Sequence, residues 1–488
     1  MAISLSSISG LAFQSASFHG RNNTRFPSRN NVFEPLPLRF RSYIVRNISI
    51  TKALSSVNAS SSSSSSLEFD VVIVGAGIIG LTIARQLLHE SDLSVALVDA
   101  AVPCAGATGA GQGYIWMAHK TPGSDIWELA VRSQKLWNML AESIQNEGLS
   151  PLETLGWKRT GSLLVGRTLE KSAMLRDRVR HFAEAGMEVE YLSGHSLVLK
   201  EPALDIGKGG GAAFLPDDSQ LDAHRAVAFI EKGNRSFALK GRYAEFYHDP
   251  VISLVRSGST GEVEGIRTSK KILYSKKAIV IAAGSWSGSL MEDLLRGSNV
   301  VLDVPVKPRK GHLLVVENFN SFCLNHGLME VGYVSHQKTA LHPPSSMPGV
   351  ADDAQNLSIS MTATMDPVGN LVLGSSRQFS GFSTVVDHSI INRIWDRARE
   401  FFPALREISL NDFAESRRVR VGLRPYMPDG RPIIGPVPAI PKLLIATGHE
   451  GGGLSLALGT AEMITDMVLG TSLKVDCAPF SVENRFSK

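Results

Sequence analysis

A run of glycines between an apolar strand and a helix is the feature that most constrains how this chain of 488 residues can fold. Residues 69–74 are mostly β-branched, which is typical of a strand buried on both faces. Gly75, Gly77 and Gly80 follow directly, and the next buried strand occupies residues 95–99. Strand, helix and strand form a βαβ unit. We therefore predict an α/β fold that begins with a Rossmann-like parallel sheet.

The spacing of these glycines suits a bound dinucleotide. Gly75 permits the tight turn, Gly77 lets the backbone approach a pyrophosphate, and Gly80 allows close packing of helix on strand. The helix N-terminus adds amide donors for the phosphates. Asp99 lies nineteen residues beyond Gly80, where a carboxylate accepts hydrogen bonds from a ribose diol and would repel the 2′-phosphate of NADP. We predict a dinucleotide site here; the alternative is a tight turn without a ligand.

Residues 1–66 do not have the composition of a folded domain. They are rich in serine, carry seven basic residues against the single acidic Glu34, and end in the serine run 60–66. They lack a continuous apolar segment and so resemble an organelle transit peptide rather than a secretory signal. We predict import into a plastid, with the mitochondrion as second choice; the alternative is a disordered tail without a targeting role. A mature protein whose N-terminal sequence begins at Ala2 would contradict import.

Composition excludes several classes of function. Residues 1–66 contribute a net +6 to a chain whose formal net charge is +4, so the rest carries about −2 and offers no basic domain for nucleic acid. The cysteines Cys104, Cys323 and Cys477 are widely spaced and odd in number, which predicts neither a disulfide framework nor a metal site. No apolar run reaches eighteen residues, so we expect no membrane span.

Dinucleotide-type elements return in the middle and at the end of the chain. Buried strands at 278–283 and 443–446 are each followed by a glycine turn. We therefore predict a discontinuous cofactor-binding domain whose insertions form an α+β substrate domain with a mixed, largely antiparallel sheet. A helix is predicted to start near Ser124 and Asp125, with Glu128 completing a capping box. The predicted cofactor-binding domain comprises residues 67–154, 221–301 and 416–488, and the predicted substrate domain residues 155–220 and 302–415.

Further segments carry specific motifs. A loop of small residues occupies 106–113, and the strand at 279–283 leads into Gly-Ser-Trp. Residues 422–435 read Gly-Leu-Arg-Pro-Tyr-Met-Pro-Asp-Gly-Arg-Pro-Ile-Ile-Gly, and residues 446–453 read Ala-Thr-Gly-His-Glu-Gly-Gly-Gly. With these motifs, nearly all of residues 69–470 resembles the flavoprotein family that includes D-amino-acid oxidase, sarcosine oxidase, glycine oxidase and D-amino-acid dehydrogenase.

This resemblance implies noncovalent FAD as the cofactor. In the family, the small-residue loop passes the flavin and its phosphates, the strand that carries Val251 contacts the adenine, and the last glycine turn approaches the flavin ring. Sarcosine oxidase links its flavin to a cysteine ahead of the Pro-Asp turn, whereas residues 415–430 contain no cysteine. The residues predicted to bind FAD are Gly75, Gly77, Ile78, Ile79, Gly80, Asp99, Ala107, Thr108, Val251, Gly284, Gly448, Gly451 and Gly453, and no metal is predicted.

The resemblance also implies how substrate binds. Arg424 is predicted to pair with a substrate carboxylate, because a guanidinium fork binds both oxygens and directs the α-C–H toward the flavin; the alternative is a salt bridge at the turn leading to Asp429. His449 is a candidate base, or it merely hydrogen-bonds the backbone. Glycine oxidase has a second carboxylate-binding arginine where this chain has Glu450, and its substrate tyrosine falls near Met361. Glycine itself is therefore disfavoured, and a bulkier or secondary amine fits at least as well.

The activity implied by the resemblance is oxidation of a C–N bond in an amino acid or secondary amine. Hydride moves from the carbon next to nitrogen to flavin N5, the imine is hydrolysed, and O2 is reduced to H2O2. The implied partners are the small-molecule amine, O2 or another electron acceptor, and the plastid import machinery. Three alternatives remain open: an NAD-dependent dehydrogenase, an FAD dehydrogenase with a quinone or protein acceptor, and a flavin-bearing assembly factor without turnover.

Overall fold

The computed structural model describes residues 66–298, 300, 302–334, 357–483 and 485. The predicted transit peptide and linker therefore lie outside the described residues, except for Ser66. In chain order, the strands are β1 (Ser66–Val74), β2 (Val95–Val98), β3 (Tyr114–Ile115), β4 (Ser162–Gly166), β5 (Glu190–Ser193), β6 (Gly211–Leu215), β7 (Ser219–Gln220), β8 (Tyr243–Phe246), β9 (Val251–Arg256), β10 (Val263–Thr268), β11 (Ile272–Ile281), β12 (Lys307–Val316), β13 (Gly327–Glu330), β14 (Ser358–Met365), β15 (Leu371–Phe379), β16 (Arg417–Tyr426), β17 (Ile433–Pro436) and β18 (Leu443–Thr447). The α-helices are α1 (Ile78–Glu90), α2 (Ala107–Ala110), α3 (Trp127–Asn146), α4 (Pro151–Leu155), α5 (Leu169–Glu184), α6 (Gly194–Lys200), α7 (Ala223–Arg235), α8 (Ser287–Leu295), α9 (His388–Arg399) and α10 (Gly453–Leu469).

The first sheet carries the glycine motif. Its path runs β17-β18-β11-β1-β2-β8, and β10 and β9 extend it from β11. The strands from β18 to β8 along this path pair in parallel, while β17 is antiparallel to β18. Val71, Val72 and Ile73 of β1 are fully buried, as the β-branched run predicts. Because the carboxyl ends of parallel strands meet at one edge, the turns after β1, β2, β11 and β18 lie side by side.

Helices α1, α3 and α10 pack against one another beside this sheet. The Thr82 hydroxyl of α1 donates to the carbonyl of Ala457 in α10 at 3.3 Å. The indole of Trp137 in α3 is fully buried and donates to the carbonyl of Leu454 at 2.9 Å. Burying a large apolar side chain contributes about 1.5–3 kcal/mol, so these contacts hold the N-terminal turns of α1 and α10 in place.

The second sheet has the strand order β16-β12-β15-β14-β13-β4-β6-β5. Its pairs are antiparallel except for β13 with β4, which agrees with the predicted mixed, largely antiparallel sheet. A separate apolar core, which includes Leu314, Leu373 and Trp395, lies between this sheet and α9. The other face of the sheet is therefore available for a functional site.

Strand β16 departs from the predicted domain boundary. The sequence assigned residues 416–488 to the cofactor-binding domain, but β16 pairs with β12 along its whole length, from Lys307 opposite Tyr426 to Val316 opposite Arg417. A continuous antiparallel register satisfies the backbone hydrogen bonds of both strands. Arg424 is thus a residue of the second sheet rather than the first.

The predicted start of α3 is also wrong. The helix begins at Trp127, and no side chain caps it. The carboxylate of Asp125 instead accepts a hydrogen bond from Arg431 at 2.8 Å. Glu128 lies in the first turn, where a negative charge favours the helix dipole without forming a capping box.

Within the described ranges, no helix is both long enough and apolar enough to cross a membrane. Nor does this part of the chain bring three or more His, Cys, Asp or Glu side chains together in a way that could hold a metal ion.

Candidate functional site

The glycine turn after β1 has the geometry that the sequence predicted. Gly75 has φ +115°, which favours glycine, and its amide donates to the carbonyl of Val98 at 2.7 Å. A Cβ on Gly80 would overlap the carbonyl oxygen of Gly75. A Cβ on Gly77, in contrast, would make only an ordinary contact with the Thr108 hydroxyl at 3.5 Å. Gly75 and Gly80 therefore serve close packing, and Gly77 leaves space at the helix N-terminus.

Asp99 and Thr108 border this space. The Asp99 carboxylate accepts the amides of Ala76 at 2.6 Å and Ala101 at 2.7 Å, and burial raises its pKa, with these two hydrogen bonds opposing the rise. The Thr108 hydroxyl accepts the amide of Ile78, at the start of α1, at 3.1 Å. A carboxylate has lone pairs for more than two donors, so Asp99 can still accept hydrogen bonds from a diol.

Three further predicted residues lie beside these. Ala107 is the first residue of α2, next to Thr108. Ile79 is buried in the first turn of α1. Val251 begins β9, two residues after Asp249, whose amide donates to the Asp99 carbonyl at 3.0 Å.

The turn after β18 meets the turn after β11. The Thr447 hydroxyl donates to the carbonyl of Gly284 at 2.9 Å. Gly284 and Gly448 have φ values of +55° and +81°, and a Cβ on Gly284 would have no neighbour within 4 Å. Gly453 begins α10 and is also open on its Cβ side. The predicted glycines at 284, 448, 451 and 453 therefore belong to one edge of the first sheet.

These residues fit FAD. The first turn of α1 has no acidic residue and Gly77 offers no capping side chain, so the positive end of this helix is available to an anion such as a pyrophosphate. Helix α10 likewise begins at a glycine without a side-chain cap or an acidic residue in its first turn. Burial raises the pKa of the Cys104 thiol, which contacts the loop of residues 106–113, to about 12, so it is not a nucleophile for attaching a flavin.

Arg424 lies where the second sheet meets the start of α10. A Cβ on Gly451 would lie 3.9 Å from Arg424 Cδ, and a Cβ on Gly311 would overlap the guanidinium. The glycine at 311 thus lets the guanidinium lie flat on the sheet. Its Nη1 donates to the carbonyl of Ser376 at 3.0 Å, and it forms no salt bridge with any described carboxylate. The alternative role for Arg424 is not supported, because Arg485 and not Arg424 donates to Asp429, at 2.6 and 2.7 Å.

Two more arginines share this face of the sheet. Arg309 of β12 lies opposite Arg424 of β16. On the other edge of β12, Arg309 lies opposite Phe379 of β15, and Arg377 precedes Phe379 by two residues. Because side chains alternate between faces, all three arginines point to the same side. We call Arg309, Arg377 and Arg424 the arginine cluster.

Glu450 is the carboxylate of this region. It forms a salt bridge with Arg309, whose Nε donates to Oε1 at 3.0 Å, and its own φ is +47°. Burial opposes ionisation, but the charges of Arg309, Arg424 and Arg377 hold the pKa of Glu450 at about 2. Glu450 is therefore ionised and neutralises one arginine of the three.

Tyr333 closes one side of the site. Its ring lies 3.7 Å from the Arg377 guanidinium carbon, and its hydroxyl would be 3.4 Å from a Cβ on Gly451. A tyrosine side chain therefore borders this region from the segment after β13, although the sequence has methionine at position 361. Met361 itself is buried in the apolar core on the opposite face of the sheet.

Lys120 closes another side. It is 7% exposed, and its Nζ would lie 3.1 Å from a Cβ on Gly452. Burial lowers the pKa of Lys120 to about 8, although the negative charges of Glu450 and Asp218 raise it. Asp218 is fully buried and accepts the amides of Met117 at 2.7 Å and Ala118 at 3.1 Å. These hydrogen bonds fix the backbone of the segment just before Lys120.

His449 is buried and hydrogen-bonds the Thr460 hydroxyl through Nε2 at 3.0 Å. Burial, with a contribution from the charge of Lys120, lowers its pKa to about 3. The imidazole is therefore neutral and a weak base, and it hydrogen-bonds a hydroxyl of α10. Both features favour a structural role for His449 over the role of a catalytic base.

The sequence did not single out Arg309, Arg377, Tyr333 or Lys120. None of them lies in a motif. They come from β12, β15, the segment after β13 and the loop before α3, which are distant in sequence. The one available signal was three basic residues in the apolar strand 307–316 and one in strand 371–379, since buried strands rarely carry charge without a function.

Comparisons with known proteins identify the family of the chain. A model of the family described as FAD dependent oxidoreductase matches residues 70–467. The chain is 24% identical over 447 residues to hydrogen cyanide synthase subunit HcnC of Pseudomonas protegens, covering 84% of this chain and 95% of that one. It is 27% identical over 335 residues to D-amino acid dehydrogenase 2 of Ralstonia nicotianae, covering 68% and 70%.

Glycine oxidase of Geobacillus kaustophilus is similar in both sequence and structure. The sequences are 24% identical over 422 residues, which covers 86% of this chain and 98% of that one. Its crystal structure superposes with a TM-score of 0.68 at 22% identity, covering 86% of this chain and 100% of the other. The predicted fold class and cofactor are thereby confirmed. The chain belongs to the FAD dependent oxidoreductase family.

Proposed function

We propose that this FAD-dependent enzyme oxidises the C–N bond of an amino acid or N-substituted amino acid and passes the electrons to O2. The observation that carries the proposal is Arg424, a guanidinium without a described carboxylate partner at the start of α10. The similarity to a glycine oxidase and a D-amino acid dehydrogenase supports the same substrate class. A purely structural arginine would be expected to pair with a carboxylate of the protein.

The residues of the site bind and orient the substrate. Arg424 pairs with the substrate carboxylate in a planar fork, and this contact directs the α-carbon toward the N-terminal turn of α10. When bound, FAD supplies the acceptor for the hydride of that carbon. The substrate becomes an imine, which water hydrolyses to a carbonyl compound and an amine.

The charge of the site also favours the neutral amine that hydride loss requires. Three arginines and Lys120 surround a single ionised carboxylate, Glu450. A nearby positive charge disfavours a second one, so the pKa of a bound ammonium group is lowered. One carboxylate of a bound substrate offsets this lowering of the pKa only in part, because the site has more than one positive charge in excess.

An anaerobic substrate screen tests the proposal. The holoenzyme is mixed with glycine, sarcosine, D-amino acids, and secondary and cyclic amines, with and without a carboxylate, and flavin absorbance is followed. We expect carboxylate-bearing amines to bleach the flavin and amines without a carboxylate to leave it oxidised. Oxygen is then admitted and peroxide is measured.

Each outcome assigns a different function. Bleaching followed by peroxide supports an oxidase, while bleaching that persists in air shows a dehydrogenase with another acceptor. If no amine bleaches the flavin, the assembly-factor alternative replaces the proposal. If carboxylate-free amines bleach it equally well, Arg424 has no role in binding.

Carboxylate binding should weaken as pH rises through about 8. Lys120, with its pKa lowered to about 8 by burial, is charged below this pH and neutral above it, while the arginines keep their charge. We expect the dissociation constant of methoxyacetate, which stays ionised, to rise roughly tenfold between pH 7 and 9. Perturbation of the flavin spectrum measures it.

Lys120→Met should bind methoxyacetate more weakly at pH 7 and show little further change up to pH 9. The exposed Lys135→Met is the matched control and should behave like the wild type. An unchanged pH profile in Lys120→Met would assign the titration to another group.

A further inference from the structure

Arg377 is a buried guanidinium with incomplete hydrogen bonding. It is 3% exposed, and neither Nε nor Nη1 has an acceptor among the residues that the structure describes. Its remaining contacts are a long hydrogen bond from Nη2 to the Tyr333 carbonyl at 3.5 Å and the face of the Tyr333 ring. A buried charge is costly unless an anion pairs with it. The described protein supplies no such anion to Arg377.

The position of Arg377 points to substrate as the source of that anion. It shares the sheet face of Arg424, and the carbonyl of the preceding residue, Ser376, accepts from Arg424 Nη1 at 3.0 Å. The carboxylate in reach, Glu450, forms its salt bridge with Arg309. One carboxylate on Arg424 would therefore leave Arg377 uncompensated.

We propose that the substrate carries two carboxylates, one bound by Arg424 and the second bound by Arg377. This inference rests on the proposed function and narrows its substrate class to dicarboxylic amino acids. The second carboxylate belongs either to the side chain of an acidic amino acid or to a carboxyalkyl group on the amine nitrogen. In both cases the second anion lies within a few bonds of the α-carboxylate, and Tyr333 contacts Arg377 with its ring.

Binding of unreactive acids to the holoenzyme tests the inference directly. Acetate and propionate are compared with malonate, succinate and glutarate by perturbation of the flavin spectrum. We expect the dicarboxylate of the fitting length to bind about ten- to a hundredfold more tightly than the monocarboxylates, the range that a charge-assisted pair provides. Arg377→Met should remove this advantage, so that the dicarboxylates and acetate bind to it about equally well, while Arg377→Lys should restore part of it. Arg418→Met, an exposed arginine of the same sheet, is the matched control.

Flavin reduction separates the two sources of the second carboxylate. Iminodiacetate is compared with sarcosine, and D-aspartate and D-glutamate with D-alanine, under anaerobic conditions. Whichever dicarboxylate is the substrate should reduce the flavin of the wild type faster than its monocarboxylate counterpart does, and Arg377→Met should abolish the difference. A faster reaction with iminodiacetate assigns the N-carboxyalkyl class, and a faster reaction with D-aspartate or D-glutamate the acidic amino acids.

The failures are distinguishable. In one outcome, Arg424→Met binds acetate more weakly than the wild type, and monocarboxylate substrates reduce the wild-type flavin as fast as dicarboxylates do. The inference is then wrong and the proposed function stands. If Arg424→Met binds every tested carboxylate as tightly as the wild type does, the proposed function fails as well. Thermal melting of the ligand-free holoenzyme adds a structural readout, because an unpaired Arg377 predicts that Arg377→Met melts no lower than the wild type. A fall in melting temperature larger than the loss of the Tyr333 ring contact accounts for would show that the protein itself pairs Arg377, and would overturn the inference.

Discussion

Gly77→Val should give a folded protein that no longer retains FAD. Gly77 has φ −73° and ψ 177°, which valine adopts without strain, and its Cβ position meets only the Thr108 hydroxyl at 3.5 Å. The valine methyl groups would project into the space at the N-terminus of α1, where the pyrophosphate must approach the backbone. We expect the affinity for FAD to fall by a factor of roughly 100 or more, which corresponds to about 2.7 kcal/mol. The ratio of flavin absorbance to protein absorbance measures it.

Gly80→Ala provides the contrast. A Cβ there overlaps the Gly75 carbonyl, so this variant should be destabilised even without cofactor. The apoprotein of Gly77→Val should instead melt within a few degrees of wild-type apoprotein. Flavin retention by Gly77→Val would mean that the pyrophosphate does not lie at this turn, whereas a collapsed apoprotein would assign Gly77 to packing.

Arg424→Ala should lower kcat/KM for amino-acid substrates roughly a hundredfold while the FAD content stays normal. A hydrogen-bonded charge pair contributes about 1.5–3 kcal/mol, and the loss of a planar fork also loosens the orientation of the α-carbon. The guanidinium lies on the glycine at position 311 and makes a single hydrogen bond to the described part of the protein, so its removal disturbs little of the fold. Stopped-flow flavin reduction across a range of substrate concentrations measures the effect.

Two variants calibrate this result. Arg424→Lys keeps a charge without the fork and should fall between Ala and the wild type. Arg418→Ala removes an exposed arginine of the same strand and should leave kcat/KM unchanged. An Arg424→Ala enzyme that reduces its flavin at the wild-type rate and concentration dependence would exclude Arg424 from carboxylate binding.

Local patterns in the sequence predicted the strand, turn and helix around the glycine motif well. Helix α1 spans Ile78–Glu90 directly after the glycine motif, and Asp99 and Thr108 border the same N-terminal turn. The reason is that a βαβ unit is contiguous: its strand, turn and helix lie within some thirty residues, and each glycine acts on its immediate neighbours. The start of α3 was wrong because Asp125 has a distant partner, Arg431, that local propensity does not include.

The substrate-binding half depended on tertiary structure. The sequence pointed to Arg424 through a motif, but Arg309, Arg377, Tyr333 and Lys120 come from separate segments without a motif. Strand register brings Arg309 opposite Arg424 and places Arg377 on the same face. This register is set by pairing between strands that are distant in sequence, since the partners of Arg309 are 70 residues away at Phe379 and 115 residues away at Arg424. The sequence by itself thus determined the α/β class, the FAD turn and one arginine. Only the tertiary structure decided the charge of the pocket, because long-range pairing determines which buried side chains share a face.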